Sequence, residues 1–133
     1  MPVELSWLIP ERVLHERFYG DVTIEDIQEL ASTLPPFMEE GVPLIHTIID
    51  ATNVTSHPSI KDIHEHSSLR TYPNEGWRVM VGANAVARFI GSIILQVMGQ
   101  RYRMYDTLDE ALHFIADQDK SVDVSAYFED TGS

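Results

Sequence analysis

The chain contains no cysteine. That absence excludes disulfide frameworks, thiolate zinc sites and thiol nucleophiles together, and it fits a reducing compartment. Cationic side chains are also scarce: nine Lys and Arg stand against 21 Asp and Glu, a formal charge of −12. Nucleic-acid affinity rests on neutralising phosphates, so DNA and RNA are not expected partners, and anionic lipid surfaces are disfavoured for the same reason. The charge favours solubility and a basic partner. Long apolar runs are missing as well. The most apolar stretch, Ala85 to Met98, is interrupted by Arg88 and Gln96 and falls short of the ~20 residues that span a bilayer. Met1-Pro2-Val3-Glu4 has no basic segment leading into an apolar one, so no signal peptide is expected. The expectation is a cytoplasmic protein with no membrane span.

What is present suits one folded domain over residues 1–133, with a core at about 3–116 and an acidic tail at 117–133. A chain of this length buries about two-thirds of its unfolded surface without a disulfide or metal. Val3, Leu5, Trp7 and Ile9 alternate as a strand does, Pro10-Glu11 marks a turn, and Arg12 to Tyr19 reads as a second, antiparallel strand. Thr23 and Asp26 resemble a capping box, with Val22 and Ile27 placed for a hydrophobic staple. Ile24, Ile27, Leu30, Ala31 and Leu34 repeat at helical spacing until Pro35-Pro36, which should break or kink the helix. Leu44 to Asp50 and Trp77 to Gly82 read as buried strands and Ser56 to Arg70 as a helix, with Tyr72 to Gly76 a loop. Asn84 should cap a helix reaching Met98, stopped by Gly99. Tyr102 to Asp106 is a short strand, and Thr107 with Glu110 caps a last helix carrying Leu108, Ala111, Leu112 and Ile115. Val122, Val124, Tyr127 and Phe128 are the apolar residues of the tail and should bring it down onto another surface.

The order is therefore ββαβαβαβα, an α/β domain with a mixed β-sheet whose later strands are parallel. That order, the length, and the stretches Phe18 to Thr23, Leu44 to Asp50 and Trp77 to Gly82 resemble the SpoIIAA-like superfamily, which includes STAS domains and anti-sigma-factor antagonists. A bacterial group of STAS-like proteins has similar segments. The resemblance implies a SpoIIAA-like fold and a non-catalytic regulatory role through protein contacts. It also implies a phosphorylatable serine, in an Asp-Ser-Ser-Gly context, at the start of the helix after the third strand. Ser59 falls there, with Ser56 nearby, but Pro58 stands where the Asp would be and Ile60 where the Gly would be. Read from the residues alone, Ser59 or Ser56 is a helix cap.

Chemistry-bearing residues form no motif. Of six histidines, His64 and His66 are two apart, not the four that puts two ligands on one helix face, so neither a metal nor another cofactor is expected. Asp50 and Asp106 sit at predicted carboxyl ends of strands, where α/β sheets bind ligands, and Asn84 starts a helix beside Gly82. A Mg²⁺-dependent enzyme using Asp50 and Asp106 is one reading; loop-capping carboxylates are the other. Neither lysine, Lys61 or Lys120, lies at a strand end to hold phosphate. The 84–98 helix carries an apolar arc of roughly 160–180°, wider than one sheet contact needs. Its surplus edge, Ala87, Ile90, Ile94 and Met98, needs a cover. The candidates are a second copy in a homodimer, the tail residues Tyr127 and Phe128, or a small apolar, lipid-like ligand.

Overall fold

Two strands with alternating apolar residues open the chain, and the tight turn between them fixes the architecture. The computed structural model describes residues 3–66, 72–82, 84, 88, 91–92, 96, 99, 101–125 and 127–128. β1 (Val3–Ile9) turns at Pro10-Glu11 into β2 (Val13–Asp21). The Arg12 amide donates to the Ile9 carbonyl at 3.0 Å, and Glu11 takes φ 66°, as the third position of a type II turn requires. There follow α1 (Ile24–Glu40), β3 (Ile45–Ser56), α2 (Ile60–His66), β4 (Glu75–Val81), β5 (Tyr102–Tyr105) and α3 (Leu108–Gln118). The sheet order is β1-β2-β3-β4-β5; only β1 and β2 are antiparallel. This is the expected mixed α/β sheet. Positions 88, 91, 92 and 96 are helical, as the expected helix between β4 and β5 requires.

Strand alternation divides the core into two layers. Val13, Ile48, Val79 and Val81 face α3, where Ala111, Leu112 and Ile115 meet them. Leu14 and Ile45 face α1, against Leu34 and Met38. The first capping box forms in full and the second only through its N-cap side chain. Thr23 Oγ1 accepts from the Asp26 amide at 3.3 Å and Asp26 Oδ2 from the Thr23 amide at 2.8 Å; Thr107 Oγ1 accepts from the Glu110 amide at 3.2 Å. Val22 and Ile27, the staple pair, are buried in one cluster.

Three expectations change. Pro35-Pro36 does not break α1, which runs through both prolines to Glu40. Leu34 and Met38 are buried on either side of the pair, and Phe37 lies 5.8 Å from the Trp7 ring, so packing keeps the segment helical where propensity would not. β3 runs six residues beyond Asp50, so Asp50 lies within a strand and Ser56 ends that strand instead of starting a helix. α2 begins at Ile60, and its expected continuation over 67–70 lies outside the described residues. β4 starts at Glu75, two residues inside the expected loop.

The tail is tied down at the opposite end of the sheet. His46 is fully buried. Its Nδ1 accepts the Trp77 amide at 2.9 Å, so Nε2 carries the proton and donates to Asp119 Oδ2 at 2.8 Å. Arg12 Nη2 reaches the same Asp119 oxygen at 3.0 Å and Ser121 Oγ at 2.9 Å, and the Ser121 hydroxyl and amide donate to Asp119 Oδ1 at 2.6 and 3.1 Å. Gly76 is required here, because a Cβ at this position would stand 2.4 Å from His46 Nδ1. From this anchor Val122, Tyr127 and Phe128 pack on the α3 layer, with Phe128 stacked on His113 at 4.5 Å.

Hydrogen bonds from His46 and Ser121 hold the Asp119 carboxyl down at about 2, while burial, partly offset by Asp119, lowers His46 below its ordinary 6.5. Both groups have folded values below their unfolded ones, so both contribute stability at high pH and lose it as pH falls. Thermal unfolding followed from pH 8 to pH 2 should show a first loss below about 6.5 as His46 charges. A second loss should come between about 4 and 2 as Asp119 is protonated, and Asp119→Asn should remove that second limb. Asp119→Ala, which leaves the buried His46 N–H unpartnered, should cost about 3 kcal/mol by chemical denaturation.

Candidate functional site

The extension of β3 beyond β4 builds an apolar recess on the α1 side of the sheet. Between Arg17↔Asp50 and Tyr19↔Asn53, β2 advances two residues and β3 three, a bulge that puts one extra residue into β3. The inward positions of β3 therefore run Ile49, Ala51, Val54 rather than by twos. These residues, with Phe18 and Met80, floor a cavity of about 130 Å³. Val22 and Ile27 from the start of α1 form one wall, Ile63 of α2 and His57-Pro58 another, and Gly91 closes part of the top. Gly91 is buried, and a Cβ there would come within 2.5 Å of the Met80 methyl, so this glycine lets the 84–98 segment approach the sheet. The recess has room for one small apolar molecule.

A buried charge cluster stands beside this recess on the same face. Glu16, the register partner of Ile49, is 2% exposed. Arg78 lies 3.8 Å from Glu16 Oε2 and 2.8 Å from Glu75 Oε1. Among the described residues Glu16 Oε2, Glu75 Oε2 and Arg78 Nε have no hydrogen-bond partner. Burial pushes the Glu16 carboxyl up; Arg78 opposes that and Glu75 adds to it, and the net direction is upward. One cation thus serves two carboxylates out of water, an arrangement whose desolvation cost rivals its attraction.

The residues singled out from sequence are dispersed. Asp50 points to the α3 face, away from the cavity. Its Oδ2 lies 3.2 Å from His15 Nε2, and Oδ1 accepts from the Thr52 hydroxyl and amide at 2.7 and 3.1 Å. Burial raises this carboxyl, but the Thr52 and His15 bonds outweigh it and hold it below the usual range. Asp106 follows β5 and is paired with Arg88. β4 separates β3 from β5, so the backbones that carry Asp50 and Asp106 lie about two strand spacings, roughly 10 Å, apart, and each carboxylate is engaged with a different partner. Among the described residues no three His, Asp or Glu side chains cluster to hold a metal. Ser59 caps α2, its Oγ accepting from the Asp62 amide at 3.1 Å, and Ser56 Oγ donates to the Asp21 carboxylate. The exposed Asn84 accepts the Arg88 amide at 2.9 Å through its carbonyl. Ala87, Ile90, Ile94 and Met98 lie outside the described residues. The tail residues Tyr127 and Phe128 belong to the α3 layer, across the sheet from Gly91.

Sequence reasoning missed the cavity because Ala51-Thr52-Asn53 looks like a turn. The one available signal was the resumption of apolar character at Val54 ahead of the cap at Ser59. Sequence reasoning also missed the His15–Asp50 contact, which only the parallel β2–β3 register creates.

No family model and no curated protein matches the chain. Among solved structures it is similar to an uncharacterized protein from the DUF3478 family with a SpoIIAA-like fold from Shewanella loihica PV-4. The TM-score is 0.54 at 12% identity, covering 84% of this chain and 90% of that one. The fold is SpoIIAA-like, as the strand and helix order led us to expect. No helix among the described residues is long and apolar enough to cross a membrane.

Neutralising the less well paired carboxylate should relieve the buried cluster. Glu16→Gln leaves Arg78 with Glu75 and is expected to raise the thermal midpoint at pH 7, with the gain shrinking toward pH 4 as the wild-type Glu16 takes up its proton. Arg78→Met should instead cost about 3–5 kcal/mol by leaving two carboxylates uncompensated.

Proposed function

We propose that this protein is a non-catalytic binding module that holds a small apolar ligand in the cavity between the sheet and the α1, α2 and Gly91 walls. The observation that carries this reading is an open apolar recess: among the described residues eleven line it, and His57 is the one of these with an ionisable side chain. An apolar ligand seated there removes this apolar surface from water and adds dispersion contacts.

The non-catalytic part rests on what the candidate groups are already doing. Asp50 is held by His15 and Thr52, Asp106 by Arg88, and Ser59 by the first turn of α2. Each is engaged in local structure, and no two of them share a recess.

Benzene is a suitable probe. At several times its Kd it should raise the thermal midpoint by about 3 °C, and Ala51→Leu, which adds three carbons to the cavity floor, should abolish the shift. Native mass spectrometry of freshly purified protein should show an apolar species that Ala51→Leu excludes. A midpoint indifferent to benzene, together with ligand-free spectra, would refute the proposal.

A further inference from the structure

Two arginines, Arg101 just before β5 and Arg103 within it, gather at one sheet edge of a chain that carries a charge of −12. β5 is an edge strand: among the described residues no strand pairs with its outer side. Arg101 and Arg103 are exposed and turn to the same face, where their guanidinium carbons lie 5.3 and 4.9 Å from the centroid of the Trp77 ring. Arg103 also lies 5.7 Å from the Phe114 ring. Neither arginine meets a carboxylate among the described residues, although the sequence holds 21. The two are thus like charges held side by side on one indole, beside an open concavity of about 460 Å³ lined by Trp77, Arg101, Tyr102, Arg103 and Met104.

The backbone of β5 is ready for a neighbour. The Arg101 and Tyr105 carbonyls accept from Arg78 and Gly82 of the β4 side at 2.8 and 3.2 Å, so the backbone groups of the alternate residues, Tyr102 and Met104, turn outward. The outward Tyr102 carbonyl accepts Arg103 Nη1 at 2.8 Å, a bond that an incoming strand can replace. We infer that the outer edge of β5 takes up an extended acidic segment of a partner protein as a sixth strand. Carboxylates at alternate positions of that segment would meet Arg101 and Arg103, and apolar residues between them would meet Tyr102 and Met104. A second copy of this chain is a poor occupant, because two-fold pairing of β5 would set arginines opposite arginines.

The test uses the full chain and two synthetic peptides, an N-acetylated Gly-Glu-Val-Glu-Val-Glu-Gly and its counterpart with Lys in place of Glu. The acidic peptide should bind and slow hydrogen exchange at the Tyr102 and Met104 amides, with affinity falling as salt rises. Arg101→Gln and Arg103→Gln, both at exposed positions, should each weaken it roughly tenfold, about the worth of one charge-assisted hydrogen bond. The Lys peptide should not bind. Any of three results would overturn the inference: no binding of the acidic peptide, equal binding of the Lys peptide, or binding that leaves the Tyr102 and Met104 amides unprotected. The last would mark the arginines as a site for free anions only.

Discussion

β2 and β3 continue to pair after β4 has stopped, and the cavity side of the molecule depends on that overrun. The β3·β4 ladder ends at Asp50↔Val81, while the β2·β3 ladder continues to Asp21↔Ser56. A two-stranded ribbon projecting beyond its sheet has one face with no third strand beside it, so its apolar residues must be covered by helices. The first turn of α1 and the short α2 supply that cover, and Val22, Ile27 and Ile63 close over Phe18 and Val54. The bulge inside the ribbon shifts the inward parity by one, which is why Ala51 and Val54, three apart, both face inward. Because small Ala51 falls in the middle of the floor and Gly91 at the roof, the helices bridge the space without filling it.

The opposite end of the sheet is organised by a single buried imidazole. His46 bonds the β4 backbone through one nitrogen and Asp119 through the other, so one side chain couples the start of two strands to the tail. The pairing works because Gly76 leaves room for the ring and because Arg12 and Ser121 saturate the Asp119 carboxylate. A polar residue buried to this extent is stabilising only when every nitrogen and oxygen around it has a partner, which this group achieves. The Glu16–Arg78–Glu75 cluster does not, leaving three polar atoms unpartnered. The two buried networks therefore pull in opposite directions on stability.

Charge is distributed in a way that net composition hides. An overall charge of −12 favours a basic partner at long range, yet the arginines of β5 present the opposite sign at one edge. Over distances beyond about 10 Å the net charge is screened at moderate salt, so short-range recognition at this edge follows Arg101 and Arg103. The recess and the edge are on different elements and use different chemistry, one apolar, the other cationic.

The local grammar of the chain was legible in the sequence. The helix caps at Thr23 and Thr107, the Val22–Ile27 staple, the Pro10 turn and the strand and helix order all follow from residue type and short-range spacing, which are properties of neighbours along the chain, while the SpoIIAA-like fold was an expectation from family resemblance. The functional surfaces were not legible in the same way. That Asp50 would be spoken for by His15, that Ala51 would floor a cavity, that Pro35-Pro36 would stay helical and that Arg101 and Arg103 would share one indole all depend on strand register and on contacts between distant segments. A one-residue bulge reverses which side chains face inward, and no spacing rule applied along β3 alone can contain it, because the bulge exists only in the pairing of β3 with β2.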